Sequence, residues 1–171
     1  GMRGSFILSP PDTRRRNTFF SRVNVEWAGH PMFLPLREIA VEAQDTSGNR
    51  FYTVAGVRYA EFVKIDSDLR WHRVVNDKSS FAFRAAAGAG LPYGNLTVLP
   101  FESSFFVGGG NGLRAWRARS IGPGSYSAPL LAFDRIGELK LEGNAEYRFK
   151  LIGFLEGAFF ADVGNIWNIH E

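Results

Sequence analysis

From Val57 to Trp71 the chain changes character at every second residue. Val57, Tyr59, Val63, Ile65, Leu69 and Trp71 share one side, and Arg58, Lys64, Asp66, Asp68, Arg70 and His72 share the other. A period of two marks an extended strand, because successive side chains point to opposite faces. At 15 residues the run is far longer than the roughly 5–6 of an average soluble strand. One face is apolar along its length and the other densely charged, so a sheet built from such strands separates a greasy medium from a polar one.

Five more runs repeat the pattern. Arg3 to Leu8 is short and ends at the turn Ser9-Pro10-Pro11-Asp12. Phe19 to Trp27 sets Phe19, Val23, Val25 and Trp27 against Arg22, Asn24 and Glu26. Beyond the turn Asn76-Asp77-Lys78, Ser80 to Gly90 sets Phe81 and Phe83 against Ala82, Arg84, Ala86, Gly88 and Gly90, a face small enough for something to lie on. Arg135 to Phe149 puts Leu139, Leu141, Ala145, Tyr147 and Phe149 opposite Glu138, Lys140, Glu142, Asn144, Glu146 and Arg148. Leu155 to Trp167 puts Phe159, Ala161, Val163 and Trp167 opposite Glu156, Phe160, Asp162 and Gly164. Leu36 to Ala43 predicts a short helix within the connection that contains Pro31, Pro35 and the turn Thr46-Ser47-Gly48-Asn49. The expected fold is all-β, an antiparallel up-and-down meander of about six strands.

Such strands suit two architectures. In a soluble sandwich the apolar faces are buried; in a membrane barrel they meet lipid while the polar faces line a lumen. No apolar run approaches the roughly 20 residues of a membrane helix, so any crossing must be made by strands. The 15% aromatic fraction falls mostly on alternate positions of long runs, which favours an aromatic outer surface and hence the barrel. A soluble lipocalin-like barrel binding a small apolar ligand is the alternative.

Between the last two pairs of strands lies a long excursion, Leu91 to Phe133, whose aromatic residues Phe101, Phe105, Phe106, Trp116 and Tyr126 argue against disorder. Its centre is Gly108-Gly109-Gly110, followed by Leu113-Arg114-Ala115-Trp116, one guanidinium between two large apolar side chains. Glycines allow close approach to a neighbouring surface, so the loop reads as a carrier of Arg114 to a fixed partner; an ordinary surface loop is the competing reading.

Other functions find little support. The formal net charge of +3 comes with interspersed signs, which makes no case for nucleic acid. Arg14, Arg15 and Arg16 read as a solvated turn. Absence of cysteine excludes disulfides, thiolate metal sites and a cysteine nucleophile. His30, His72 and His170 lack ligand spacing and no G-x-S-x-G occurs, so no metal, cofactor or enzymatic activity is expected. The opening Gly1-Met2-Arg3-Gly4 is no signal peptide, and the chain reads as a piece of a longer protein.

Phe106 through Trp116, then Ser120-Ile121-Gly122-Pro123-Gly124-Ser125-Tyr126, the strand containing Glu146, and Phe160-Ala161-Asp162-Val163-Gly164 resemble in order and spacing the outer-membrane protein assembly factors of the BamA and TamA kind, the bacterial surface antigen family. The resemblance covers roughly Arg3 to Trp167 and is most specific from Phe101 onward. It implies that the six strands are the eighth to thirteenth of a sixteen-stranded transmembrane barrel in the bacterial outer membrane, with residues 91–133 an extracellular loop. Arg114 would be the loop-tip arginine that folds into the lumen, where Glu146 and Asp162 receive it. Gly108, Gly109, Gly110, Leu113, Ala115 and Trp116 would form the loop motif, and Phe160 and Gly164 the strand motif. Ala115 stands where the family has glycine, and Leu113 where it has valine. The implied partners are outer-membrane lipid and client outer-membrane polypeptides, with a non-catalytic role in their insertion, assembly or translocation. The family's POTRA domains and closing strands are not in this chain, so residues 1–171 would be a partial barrel able to pair edge to edge with another copy. Arg114 is expected over the small face of Ala82, Ala86, Gly88 and Gly90.

Overall fold

The computed structural model describes residues 2–9, 16–29, 39–44, 50–126 and 135–169, all strand, turn or irregular, with no helix among them. Nine strands form in chain order: β1 (Met2–Leu8), β2 (Asn17–Ala28), β3 (Val41–Gln44), β4 (Arg50–Val54), β5 (Val57–Arg58), β6 (Phe62–Asn76), β7 (Ser79–Pro92), β8 (Leu139–Lys150) and β9 (Glu156–Trp167). Six make one antiparallel sheet in the order β1-β2-β6-β7-β8-β9, and β3, β4 and β5 make a small separate one. The large sheet is a meander with β1 and β9 at its edges, the wall of a barrel.

Three sequence expectations need correction. Val57 to Trp71 is not one strand. The chain reverses at Ala55 and Gly56, whose φ values of 51° and 76° suit a tight hairpin turn, so Val57 and Arg58 pair back onto β4 and the long strand starts only at Phe62. The helix at Leu36 to Ala43 is not formed where it can be seen: positions 36–38 lie outside the described residues, and Val41 to Ala43 belong to β3, paired with Phe51 to Thr53. Alternation of Val41 and Ala43 with Glu42 won over helical propensity. The strand expected from Arg135 begins at Leu139, because Gly137 pairs instead with Phe105 of the loop through two 2.9 Å backbone hydrogen bonds. The turns at residues 10–12 and 46–49, the arginines at 14 and 15, and His30 and His170 lie outside the described residues.

The register stacks side chains into rows across the sheet. On the face away from the long loop, Phe19, Trp71, Phe83, Ala145 and Ala161 form one row, and Phe81, Tyr147 and Phe159 lie in the next. The rings meet as a ladder, with centroids 5.5 Å apart for Trp71 and Phe83, 4.9 Å for Phe81 and Tyr147, and 5.4 Å for Phe149 and Phe159. Val63, Ile65, Leu69, Leu141 and Val163 share this face and are exposed. A contiguous apolar surface of this extent is unsuited to water and suited to lipid. The aromatic residues therefore face outward instead of lining an enclosed ligand cavity.

The core lies on the opposite face, between the sheet and the loop. Phe105, Val107 and Leu113 of the loop pack with Ile166 of β9, and Ile121 borders them. Gly88 and Gly90 of β7 make this docking possible: a Cβ on Gly88 would collide with the Phe105 ring, and one on Gly90 with the Leu99 methyls. The small face does receive the loop, but through Phe105 and Leu99 and not through Arg114.

Candidate functional site

Three consecutive rows of the inner face carry the charge. Arg22, Asp68, Ala86, Glu142 and Gly164 are aligned in one; Phe20, Arg70, Arg84, Asn144 and Asp162 in the next; Thr18, His72, Ala82, Glu146 and Phe160 in a third. Ala86 and Gly164 in the first row and Ala82 in the third stand among longer side chains, leaving room for a guanidinium to come down from the loop. The loop delivers it. Gly109 N–H donates to Trp116 C=O at 2.8 Å and Arg119 N–H to Val107 C=O at 3.0 Å, closing residues 107–119 into a tight projection. Gly108 and Gly109 have φ of 97° and 88°, angles that side chains resist, whereas Gly110 has open space around it and no such requirement.

Leu113 and Trp116 have opposite fates. Leu113 is buried in the core under the loop and Trp116 is exposed, so the two do not sandwich the guanidinium. Ala115 is exposed beside Trp116. Burial of Leu113 is what points its neighbour at the wall. There Arg114 spans β8 and β9: its backbone N–H and Nε donate to Asp162 Oδ2 at 3.1 and 2.9 Å, Nη2 donates to Asp162 Oδ1 at 2.8 Å, and Nη1 donates to Glu146 Oε2. The guanidinium carbon also lies 3.9 Å from the Phe160 ring centroid, a cation–π contact. Hydrogen bonding to Asp162, more than to Glu146, raises the Arg114 pKa above its ordinary value, and the charge is permanent. Arg114 does not lie over Ala86, Gly88 and Gly90, because both carboxylates that hold it are on β8 and β9, beyond β7; of that small face, only Ala82 borders the cavity that Arg114 and Glu146 line.

Asn144 joins the pair from the side. Its Nδ2 donates to Asp162 Oδ1 at 2.9 Å and to Gly112 C=O at 2.8 Å, tying the loop backbone to the same carboxylate. A second ionic centre stands one row along. Arg84 reaches Asp68 and Glu142, both at 3.1 Å, Asn144 Oδ1 at 3.2 Å and Asn111 C=O at 3.1 Å. Asp68 also binds Arg70 at 2.8 Å, and Glu142 binds Lys140 at 3.0 Å. Asp68 and Glu142 are buried, and each has compensating cations, as buried carboxylates require. Gly164 faces Glu142 across the strands, and a Cβ there would press on the Leu141 carbonyl and Glu142 Cγ.

Sequence reasoning singled out Arg114, Glu146 and Asp162, and the fold brings these three together. It missed Asp68, Arg84, Glu142 and Asn144 as a unit, although the alternation had put all four on the polar side. It also missed Gly112, where a Cβ would strike Glu142 Oε1 at 2.6 Å. The signal available was two carboxylates and an arginine on adjacent strands at matching register, which needs the pairing to be read.

A six-stranded meander with an apolar outer face, and with a loop bound by charge to its inner face, defines the wall of a β-barrel membrane protein. Residues 40–171 match the model of the Omp85 superfamily domain, and the chain belongs to that superfamily. Its members are outer-membrane β-barrel proteins of polypeptide insertion, assembly and translocation, without catalytic chemistry. Among the described residues no cluster of histidine and carboxylate side chains is arranged to hold a metal ion.

Proposed function

We propose that the chain forms part of a BamA/TamA-type barrel that inserts, assembles or translocates client outer-membrane polypeptides, and that Arg114 locks the extracellular loop inside the lumen. The observation that carries this reading is the engagement of all three nitrogens of one loop-tip guanidinium by Asp162 and Glu146, with Phe160 against its carbon. An arginine partly covered by the wall gains from such partners, and here a bidentate carboxylate, a second carboxylate and a ring supply them. The lock performs no covalent step and needs no cofactor. It holds the loop core of Phe105, Val107 and Leu113 against the wall, so that the lumen keeps a fixed shape while clients pass along the barrel.

Outer-membrane lipid covers the aromatic face, and the open backbone of β1 and β9 makes the isolated chain prone to pair with a second copy. The test uses the intact protein in a client-insertion assay with proteoliposomes. Arg114→Ala and Asp162→Ala should both lower the insertion rate, and Arg117→Ala, whose side chain is exposed, should not. Equal rates in all three would remove the lock from the mechanism.

A further inference from the structure

The three connections at the end of the sheet away from the long loop differ in sequence. Residues 9–16, between β1 and β2, read SPPDTRRR, and the β6–β7 turn is built on Asp77 and Lys78. Both sequences are polar. The β8–β9 turn is Leu151-Ile152-Gly153-Phe154-Leu155, wholly apolar. Ile152 is 86% exposed and Phe154 96%, and a Cβ on Gly153 would touch nothing, so no described part of the molecule covers this tip.

The tip is continuous with the outward face. Phe149 and Phe159 end the ring ladder, and Leu151 and Leu155 follow them at the same parity, with Leu151 N–H bonded to Leu155 C=O at 2.9 Å. An unbroken apolar strip therefore runs from Tyr147 through Phe149 to the end of the hairpin. The neighbouring polar turn is at the same level, since Lys150 N–H donates to Lys78 C=O at 2.8 Å. The hairpin extends only about one turn past that level. The headgroup zone is roughly 5–7 Å deep on each side of the hydrocarbon, which matches this reach.

We infer that residues 151–155 are a lipid-anchoring wedge, lying in the headgroup–acyl boundary of the leaflet opposite the long loop, with Ile152 and Phe154 as its inserted side chains. The occupant is lipid because the strip that leads to the tip is the lipid-facing surface of the wall, and an amphipathic element gains stability in the interface in proportion to the apolar area it buries. The inference rests on the outer-membrane reading of the sheet. It fixes the vertical position of β8 and β9, the strands that carry Glu146 and Asp162.

The test is spin-label accessibility in the intact protein reconstituted in phospholipid nanodiscs. This chain has no cysteine, so Ile152→Cys, Phe154→Cys, Asp77→Cys and Ile65→Cys each place one label in it. Labels at 152 and 154 should collide with oxygen several-fold more than with a water-soluble nickel chelate, as should the wall position 65, while position 77 shows the reverse. Nickel-accessible labels at 152 and 154, with 65 still oxygen-accessible, would overturn the wedge alone. Labels at 152 and 154 shielded from both reagents would overturn it in favour of a protein partner. Nickel access at position 65 would instead overturn the membrane reading beneath it.

Discussion

Asn144 and Asp162 are direct cross-strand partners on β8 and β9, and Asn144 uses one amide nitrogen to hold both Asp162 Oδ1 at 2.9 Å and the loop carbonyl of Gly112 at 2.8 Å. The carboxylate that receives Arg114 is thus held in place by the strand beside it, and the loop is bound twice to one small area of wall. Asn144→Ala should loosen the loop by about 1–2 kcal/mol, since it removes a hydrogen bond to a charged acceptor and leaves the Gly112 carbonyl without it. Hydrogen exchange of the amides in residues 107–119 measures this directly. Unchanged exchange would show that Asn144 only fills space.

The glycines of β7 and of the loop make opposite predictions from the same residue type. Gly88→Val should unseat Phe105 and cost about 1–3 kcal/mol, the usual penalty for overfilling a packed contact. Gly110→Ala has no atom to meet and should change stability by less than about 0.5 kcal/mol. Thermal unfolding in detergent, read for both variants together, separates a docking glycine from an incidental one.

The small sheet of β3, β4 and β5 is fastened at Asn95, whose carbonyl accepts from Arg58 Nε at 2.9 Å. Asn95, buried, accepts from Tyr52 N–H at 2.6 Å and donates to the carbonyls of Tyr52 and Tyr59, both at 2.8 Å. Its own N–H donates to Glu61 at 2.7 Å. Asn95→Ala leaves three part-buried backbone groups of Tyr52 and Tyr59 without this partner, and amides in residues 50–58 should lose about 1–3 kcal/mol of protection while residues 107–119 keep theirs. Loss in both segments would mean that the small sheet and the Arg114 contact are one cooperative unit.

Most of the wall was legible because strand alternation depends only on neighbouring residues. Phe81 and Phe83 declare one face and Arg84 the other without any partner being known. What could not be read is what depends on register. Arg84, Glu142 and Asp68 form one centre only because β6, β7 and β8 pair as they do, and Phe105 finds Gly88 only after the loop has folded back. The break at Ala55-Gly56 was hidden for a related reason: Val57 and Arg58 keep the parity of β6 although they belong to another sheet. Arg114 was approached through the glycines before it and the resemblance around it, while the seat expected for it on β7 was wrong because Leu99 and Phe105 fill that space.

Leu113 supplies the apolar half of the loop's attachment. Buried beside Val107 and Ile166, it should cost about 2–5 kcal/mol when cut to alanine. Trp116→Ala, at an exposed position, should cost far less despite removing a larger side chain. Trypsin cleavage at the loop arginines, followed over time, should be faster in Leu113→Ala than in Trp116→Ala; the reverse order would place the loop differently on the wall.

The most direct test of the lock is a double-mutant cycle between Arg114 and Asp162 in the intact protein, read as the opening free energy of residues 107–119 by hydrogen exchange in a bilayer mimic. Arg114 retains some solvent access, so the coupling should fall near 2 kcal/mol, below the value for a fully buried pair. Arg114→Ala and Asp162→Ala should each open the loop, and the double variant should be little worse than either alone. Additive effects, agreeing within about 0.5 kcal/mol, would show that the two residues act independently and that the loop is held by its apolar core alone.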